Sequence, residues 1–459
     1  MKKPILLFIF ILIIQVLFSQ GKLPADNIEV GEPHGVVISK YSRYYYYENY
    51  ILSVKFYRKE ITLQTFDSKS LKQIKKEVFK GFPKEVVIEE IMRVKGKLVL
   101  FYSFYNEETD KESLYSRGIN VEECSFEEEG RLIFEEEGNV DPIINTQQEV
   151  DNFNITISEN QNKLFIQYKI KSKKEELIKI GFKVFDLNFK IEAEKTVELP
   201  YIESKIFNTD LILDSLGNTY ILSFVSRGKS SNTSLQINYD VELFRIDGET
   251  GRLDQTRLKL DSTECINSMK FFKLNNKEIV CAGYSSIIGK NDKKNQTSGV
   301  FVIYDLHKNP ISKVYPIPLN IVNQNVKQAK INTNKSLQIR YGRYYRPTID
   351  FLVPEMLHLC NDGSILIVGE QQKPIIRNYA TVGTGYHMLY EDVLFTKINQ
   401  DGTLSWMKKL AKRQETTNRI KFDGLEKRGM SFKHVKGANH LYLLYSDHIK
   451  NLNHLLVDA

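Results

Sequence analysis

The chain lacks most of the short motifs that announce an enzyme. It contains no HExxH, no GxSxG and no phosphate-binding glycine loop, which removes the usual signatures of zinc proteases, α/β-hydrolases and P-loop enzymes. Only four cysteines occur, Cys124, Cys265, Cys281 and Cys360. None is close to another in sequence, so a four-cysteine metal site is excluded. Cys265 and Cys281 flank a predicted hairpin turning at Asn275-Asn276. They lie roughly five residues out of step, about 17 Å along a strand, too far for a disulfide, and free thiols are the expectation. The eight histidines are scattered, with His434, His440, His448 and His454 on strands and turns and His358 inside MLHLC. No cofactor motif is present. Helical patterning is nearly absent. Beyond the N-terminus there is no long apolar run, and so no further membrane segment is expected.

What is present begins with MKKPILLFIFILIIQVLFSQ. Lys2 and Lys3 precede an apolar run that ends at Phe18, followed by the small Ser19. This is the pattern of a secretory signal peptide over residues 1–19, and it places the mature chain in the periplasm or outside the cell. The 459 residues are 42% hydrophobic and 11% aromatic, the composition of a folded protein. The net charge of +7 comes from interspersed basic and acidic residues, which argues against nucleic acid as the partner.

The strongest signal is a repeat. An aromatic or aliphatic residue followed by an acid or amide recurs as Phe66-Asp67, Phe126-Glu127, Phe185-Asp186, Ile246-Asp247, Tyr304-Asp305, Ile398-Asn399 and Val457-Asp458. The steps are 60, 59, 61, 58, 94 and 59 residues. Each pair closes an apolar strand that follows a polar turn, with a further strand on either side. Four strands rich in Val, Ile, Tyr and Phe, repeated seven times, predict an all-β seven-bladed β-propeller of four-stranded antiparallel blades. The chain ends just after the third strand of the seventh repeat. The expected closure is an N-terminal strand, DNIEVGEPH at 26–34, within a closing segment 20–40 that precedes the propeller at 41–459; a truncated longer protein is the alternative. In this scheme YSRYYYY at 41–47 is the innermost strand of the first blade. Its large side chains are expected to pack on both faces, with core-like costs for losing Tyr44 or Tyr46.

One turn, NQDGTLSW at 399–406, resembles the Asp box of sialidase-like propellers, with Asp401, Gly402, Ser405 and Trp406 in register and Asn399 in place of the usual Ser or Thr. That box is a folding turn, so the resemblance implies a propeller and no sialidase activity. Quinoprotein dehydrogenases carry repeated tryptophan motifs, which the single Trp excludes. WD-repeat and kelch signatures are missing.

The connections between second and third strands, and between blades, are long, and all should emerge on one face. A 35-residue excess between Asp305 and Asn399 falls largely in an insertion at about 320–352. Its Arg340, Tyr341, Arg343, Tyr344, Tyr345 and Arg346 interleave cations with aromatics. The neighbouring segment QQKPIIRNYATVGTGYHMLYED adds Arg377, Tyr379, Tyr386, His387 and Tyr390. Arginine forks and tyrosine faces suit a protein or an acidic glycan. The glutamates of FEEEGRLIFEEEG at 126–138 read as a solvated hairpin, and no metal is expected. Together these features predict a secreted, non-enzymatic binding propeller. The alternative is a glycan-active hydrolase or lyase on the same face, using Tyr386, His387, Arg343 and Tyr345.

Overall fold

In the computed structural model the described residues lie between 37 and 445. Residues 1–36 and 446–459 fall outside them, as do 38, 40, 58, 84–85, 128, 145–150, 172, 174, 229–238, 259–263, 274–278, 288–295, 305–310, 325, 327, 342–348, 380–382, 416–430 and 437–440. The signal-peptide segment, the proposed closing strand 26–34 and the last marker Val457-Asp458 therefore lie outside the described residues.

The strands follow one another in antiparallel sheets. The first blade is β1 (Tyr41–Tyr47), β2 (Tyr50–Tyr57), β3 (Glu60–Asp67) and β4 (Gln73–Phe79). The second is β5 (Val87–Val94), β6 (Lys97–Asn106) and β7 (Lys111–Asn120), with an outer strand in two pieces, β8 (Ser125–Phe126) and β9 (Arg131–Glu137). The third has its inner strand in two pieces, β10 (Val140–Asp141) and β11 (Phe153–Ile157), then β12 (Lys163–Ile170), β13 (Leu177–Asp186) and β14 (Ile191–Ile202). The fourth is β15 (Ile206–Leu213), β16 (Thr219–Ser226), β17 (Tyr239–Ile246) and β18 (Leu253–Arg257). The fifth is β19 (Glu264–Lys273) and β20 (Ile279–Ile287), then, beyond a short β21 (Gln296–Thr297), β22 (Gly299–Tyr304) and β23 (Ile311–Pro316). A two-residue β24 (Ile349–Asp350) pairs with β21. The sixth blade is β25 (Leu352–Leu359), β26 (Ile365–Tyr379), β27 (Gly383–Ile398) and β28 (Leu404–Leu410), with β29 (Gln414–Glu415) continuing its outer edge. Last comes a two-stranded hairpin, β30 (Lys433–Lys436) and β31 (Leu441–Leu444).

The arrangement is a β-propeller because the sheets stack face to face in chain order with their first strands innermost. Strand β5 neighbours β11, β11 neighbours β15, β15 neighbours β19, and β19 neighbours β25. Each junction has its own apolar core. Leu52 and Val54 of the first blade meet Leu98 and Leu100 of the second. Leu114 and Phe134 meet Phe153 and Leu164 across the second junction, and Ile180 and Val197 meet Ile221 and Phe244 across the third. Leu222 and Leu243 then face Phe271 and Cys281, and Val280 and Val302 face Ile367 and Leu394. Burial of both blade faces explains why the middle strands read as nearly continuous apolar runs instead of an alternating pattern.

Three expectations need correction. Among the described residues there are six multi-stranded blades, not seven. The hairpin β30–β31 packs Leu441 and Leu443 onto the sixth blade but is a two-stranded sheet, and the third strand assumed for a seventh repeat lies outside the described residues. The evenness of the repeat was also partly accidental. In the second blade the third strand ends at Ile119-Asn120, and Phe126 sits across from Ile119 on the outer strand. Finally, only one side of YSRYYYY is core. Tyr45 and Tyr47 pack against the first junction, whereas Tyr44 and Tyr46 point to the other face and are 60% and 67% exposed. Truncating them removes little buried area, so core-like costs do not apply there.

The recurring acid has a local cause. Asp67 accepts hydrogen bonds from the Ser70 amide at 2.6 Å and its hydroxyl at 2.7 Å. Asp186 accepts from the amides of Asn188 and Lys190, Asp247 from those of Glu249 and Thr250, and Asp401 from Thr403. Each carboxylate closes the turn after its blade's third strand, in the manner of an Asx turn. The donated hydrogen bonds hold Asp67, Asp186, Asp247 and Asp401 below the ordinary aspartate range. The Asp-box-like turn behaves in this way too, with Gly402 at φ +75° and its carbonyl accepting from Tyr315 of the fifth blade at 2.9 Å.

The cysteine reading holds for the residues described. Cys124 and Cys281 are buried free thiols and Cys360 is free and half-buried. Cys281 pairs with Phe271, and Cys265 with Ser286. No helix among the described residues is long and apolar enough to cross a membrane.

Candidate functional site: the long-connection face

The face predicted to carry the long connections is built differently from its sequence reading. The insertion is partly helical. A short α1 (Leu319–Asn323) is followed by α2 (Gln328–Tyr341). Residues 328–341 contain no proline, glycine or acid, and their Gln, Lys, Ala, Leu and Arg are good helix formers. No apolar stripe repeats along them, and Ile339 is 86% exposed, so periodicity could not reveal the helix. The insertion is held at both ends. Val322 of α1 enters the fifth–sixth junction core, and its carbonyl accepts from Lys409 Nζ of β28 at 3.1 Å. At the exit, β24 pairs with β21 from the fifth blade's own long connection.

The sixth-blade segment is not a loop either. Strands β26 and β27 continue past the blade as a long hairpin, with Gln372 opposite Tyr390, Ile376 opposite Tyr386 and Tyr379 opposite Gly383. Arg377, Tyr379 and Tyr386 therefore stand on the projecting hairpin, and their side chains are outside the described residues. Arg340 and Tyr341 form the C-terminal end of α2, again with undescribed side chains. Arg343, Tyr344, Tyr345 and Arg346 lie outside the described residues. His387 and Tyr390 are buried at the base of the hairpin, which removes them from any exposed surface.

Beneath the hairpin is a polar cluster that sequence reasoning missed. Lys412 Nζ lies 2.6 Å from Glu370 Oε1, with both side chains fully buried. The same ammonium donates to Gln414 Oε1 at 2.9 Å and to the Tyr390 carbonyl at 3.3 Å. Glu370 Oε2 accepts from Ser431 Oγ at 2.5 Å and Gln372 Nε2 at 3.2 Å. The Ser431 amide donates to Gln414 at 2.6 Å. His387 Nδ1 is 3.7 Å from Glu415. Burial, with the Glu370 carboxylate as a lesser cause, pushes the Tyr390 phenol up to about 12. The cluster ties the start of the β30–β31 segment to the sixth blade.

A second missed feature lies at the axis. The innermost strands of four blades each carry a register irregularity a few residues from their start: between Ile88 and Glu90, Asn208 and Asp210, Ile266 and Ser268, and Pro354 and Met356. The extra residue of each bulge is polar: Glu89, Thr209, Asn267 and Glu355. A bulge re-aims such a side chain, and here it turns toward the neighbouring strand or blade. Glu89 accepts from Ser103 Oγ at 2.5 Å and from the Phe153 amide of the third blade at 3.0 Å. Thr209 donates to the Leu222 carbonyl, Asn267 accepts from Ser286, and Glu355 accepts from Gln372. Two following residues also tie blades together: Asp210 accepts from the Phe271 amide at 2.6 Å, and Ser268 donates to the Leu352 carbonyl at 2.9 Å. Burial holds Glu89 well above, and Asp210 above, the ordinary carboxylate range. The signal in the sequence was a polar pair interrupting an apolar strand, as in IEEIM, NTDLI and INSMK.

The acidic run at 126–138 is engaged with bases: Glu127 with Lys97, Glu135 and Glu137 with Lys111, and Glu136 with Lys183. On the opposite, tight-turn face a cleft of about 710 Å³ separates the third and fourth blades, lined by residues that include Asn160, Asn162, Phe165, Ser215, Leu216 and Glu249.

No protein-family model matches the chain, and no curated protein sequence matches it. Among solved structures it is similar to the β-propeller domain of the Trilobed protease from Pyrococcus furiosus, at 11% identity and TM-score 0.33, covering 85% of this chain and 99% of that one. A thermostable family-43 glycoside hydrolase shares 11% identity at TM-score 0.32 over 63% of this chain and 98% of its own. An apocarotenoid oxygenase variant from Synechocystis shares 6% identity at TM-score 0.36, over 89% and 74%. Likenesses at this level carry no inference about activity, and the fold assignment rests on the sheet order and junction cores.

Proposed function

We propose that this chain is a secreted propeller that holds a protein or glycan partner on its long-connection face without transforming it. One observation supports this reading above the others: three carboxylates near that end of the blades are engaged by the fold itself, with Glu89 and Glu370 buried and Asp210 half-buried. Glu89 and Asp210 accept strand amides from the next blade, and Glu370 is closed off by Lys412 and Ser431. A glycoside hydrolase needs two carboxyl groups that a sugar can approach, and these three are already bonded within the fold. His387, one of the residues on which the hydrolase or lyase alternative relied, is buried as well. What supports the face is a projecting hairpin and a helix whose sequence carries cations and no acid and is followed in sequence by Arg343, Tyr344 and Tyr345. Secretion follows from the signal-like N-terminus and belongs to the same proposal.

The test is the variant Arg343→Ala/Tyr344→Ala/Tyr345→Ala, assayed for thermal unfolding and for binding to ligands that the unmodified mature chain captures. Tm is expected to stay within about 2 °C, because these residues fall in an insertion that the blade repeat does not require. Binding is expected to fall at least tenfold, and that of an anionic partner to weaken further with salt. A large loss of stability would mean that this segment is part of the packed ring, and the choice of face would lose its support.

A further inference from the structure

Glu112 and Glu89 form a buried pair of carboxyl groups that no base among the described residues neutralises. Glu112, at the start of β7, is 1% exposed, and Glu89, on the bulge of β5, is 2% exposed. Ser103 of β6 lies on the same side of the sheet and bonds Glu89 at 2.5 Å. The Glu112 Oε1 atom is buried without a hydrogen-bond partner among the described residues. The surroundings add negative charge. Asp141 acts on Glu112, and Asp151 and Glu112 act on Glu89. The bases and acids on the adjoining strands are committed elsewhere. Lys111 pairs with Glu135 and Glu137, Lys183 with Glu136 and Glu194, and Lys169 with Glu203 at 2.8 Å and Asp141 at 3.9 Å. Glu90 accepts from the Ile91 amide. Neither Glu89 nor Glu112 has an ion-pair partner among the described residues.

The pair sits where the second blade meets the third, since Glu89 Oε2 receives the Phe153 amide across that junction. Two ionised carboxylates cannot share a dry space without a cation, because like charges there oppose ionisation strongly. One proton relieves the conflict. We propose that the junction between the second and third blades is a pH-responsive joint, closed while Glu112 carries a proton and loosened when Glu112 and Glu89 are both ionised.

The sign follows from proton linkage. Burial, reinforced by Asp141 and opposed by a hydrogen bond from the Val140 amide, raises Glu112 to about 7. In the unfolded chain a glutamate ionises near 4.3. Between those values the folded state holds more protons than the unfolded state, so stability falls as pH rises. The loss begins above the unfolded value, runs through about pH 7 for Glu112, and continues above it as Glu89, which burial holds well above the ordinary range, ionises. A displacement of two to three pK units corresponds to about a 300-fold fall in the folded-to-unfolded ratio.

The experiment is urea unfolding of the mature chain at pH 5, 6, 7 and 8, with Glu112→Gln and Glu89→Gln alongside. The unmodified protein should lose on the order of 100-fold in the folding equilibrium across this range. Glu112→Gln should remove the part of the slope that runs up to about pH 7. Glu89→Gln should keep a slope but move it to lower pH, because the neighbouring negative charge is gone. Hydrogen exchange on the unmodified protein gives a local readout independent of either variant. After correction for the intrinsic pH dependence, protection at the Phe153 amide should fall more than that of the central amides of β16, which lose no more than the global equilibrium does. A slope unchanged in Glu112→Gln, or equal loss of protection in β16, would overturn the proposal.

Discussion

Replacing Lys412 by methionine is expected to lower stability by about 3–5 kcal/mol, the cost of leaving one partner of a buried ion pair without its counter-charge. Glu370 would remain fully buried with its Oε1 facing an apolar chain where the ammonium stood at 2.6 Å. Gln414 and the Tyr390 carbonyl would lose a donor at the same time. The segment entering β30–β31 should loosen first, since Ser431 is fastened through Glu370 and Gln414. Adding Glu370→Gln to Lys412→Met removes the stranded charge and should recover a large part of the loss. Urea midpoints with unchanged m-values would check both expectations. A single variant within about 1 kcal/mol of the unmodified protein would show that water reaches the pair and that the cluster is not the sealed clamp described above.

Gly283→Ala should be nearly as damaging, at about 3 kcal/mol. Gly283 lies in β20 opposite Met269, one residue past the bulge of β19. A Cβ built there would stand 2.0 Å from the Ser268 carbonyl oxygen, 2.8 Å from Met269 Cα and 2.9 Å from the Phe301 ring. Two of those contacts are backbone, and that backbone is itself held by the Ser268 bond to Leu352. The strain therefore has no flexible side chain to absorb it. Gly118→Ala is the matched control, because the one tight contact of its Cβ would be the Glu127 carboxylate at 2.9 Å, the movable end of a side chain, and it should cost less than about 1 kcal/mol. Thermal unfolding of the two variants side by side decides the matter. Equal effects would mean that the inner strands yield more readily than their bulges imply.

Much of the fold was legible because its causes are local. Aspartates close a turn with their own carboxylate after the third strands of the first, third, fourth and sixth blades, so Asp67, Asp186 and Asp247 marked their blades correctly. Phe126-Glu127 imitated the marker on an outer strand, since an apolar residue before an acid is common at any strand end. The blade count failed for a related reason: it gave the last marker the weight of a whole sheet. Exposure of Tyr44 and Tyr46 was hidden because alternation tells two faces apart but not which one meets a neighbour. Residues 328–341 have helix-forming composition without a helix-like apolar stripe, and only composition could have found them. The polar clusters at Glu370–Lys412 and Glu89–Glu112 join residues far apart in sequence. Their one-dimensional trace is a charged residue inside an apolar strand, as in IVGEQ and VIEEIM, which reads equally well as a solvated edge.

The long-connection face is proposed to bind its partner without turnover. The measurement that tests this directly is an array of acidic and neutral glycans and surface proteins probed with the mature chain, followed by chromatographic analysis of every captured ligand after prolonged incubation. Ligand recovered intact, from spots that the Arg343→Ala/Tyr344→Ala/Tyr345→Ala variant no longer binds and that Leu216→Asp in the opposite cleft still binds, is the predicted result. Shortened or unsaturated glycan products, or binding abolished by Leu216→Asp and untouched by the triple variant, would contradict it.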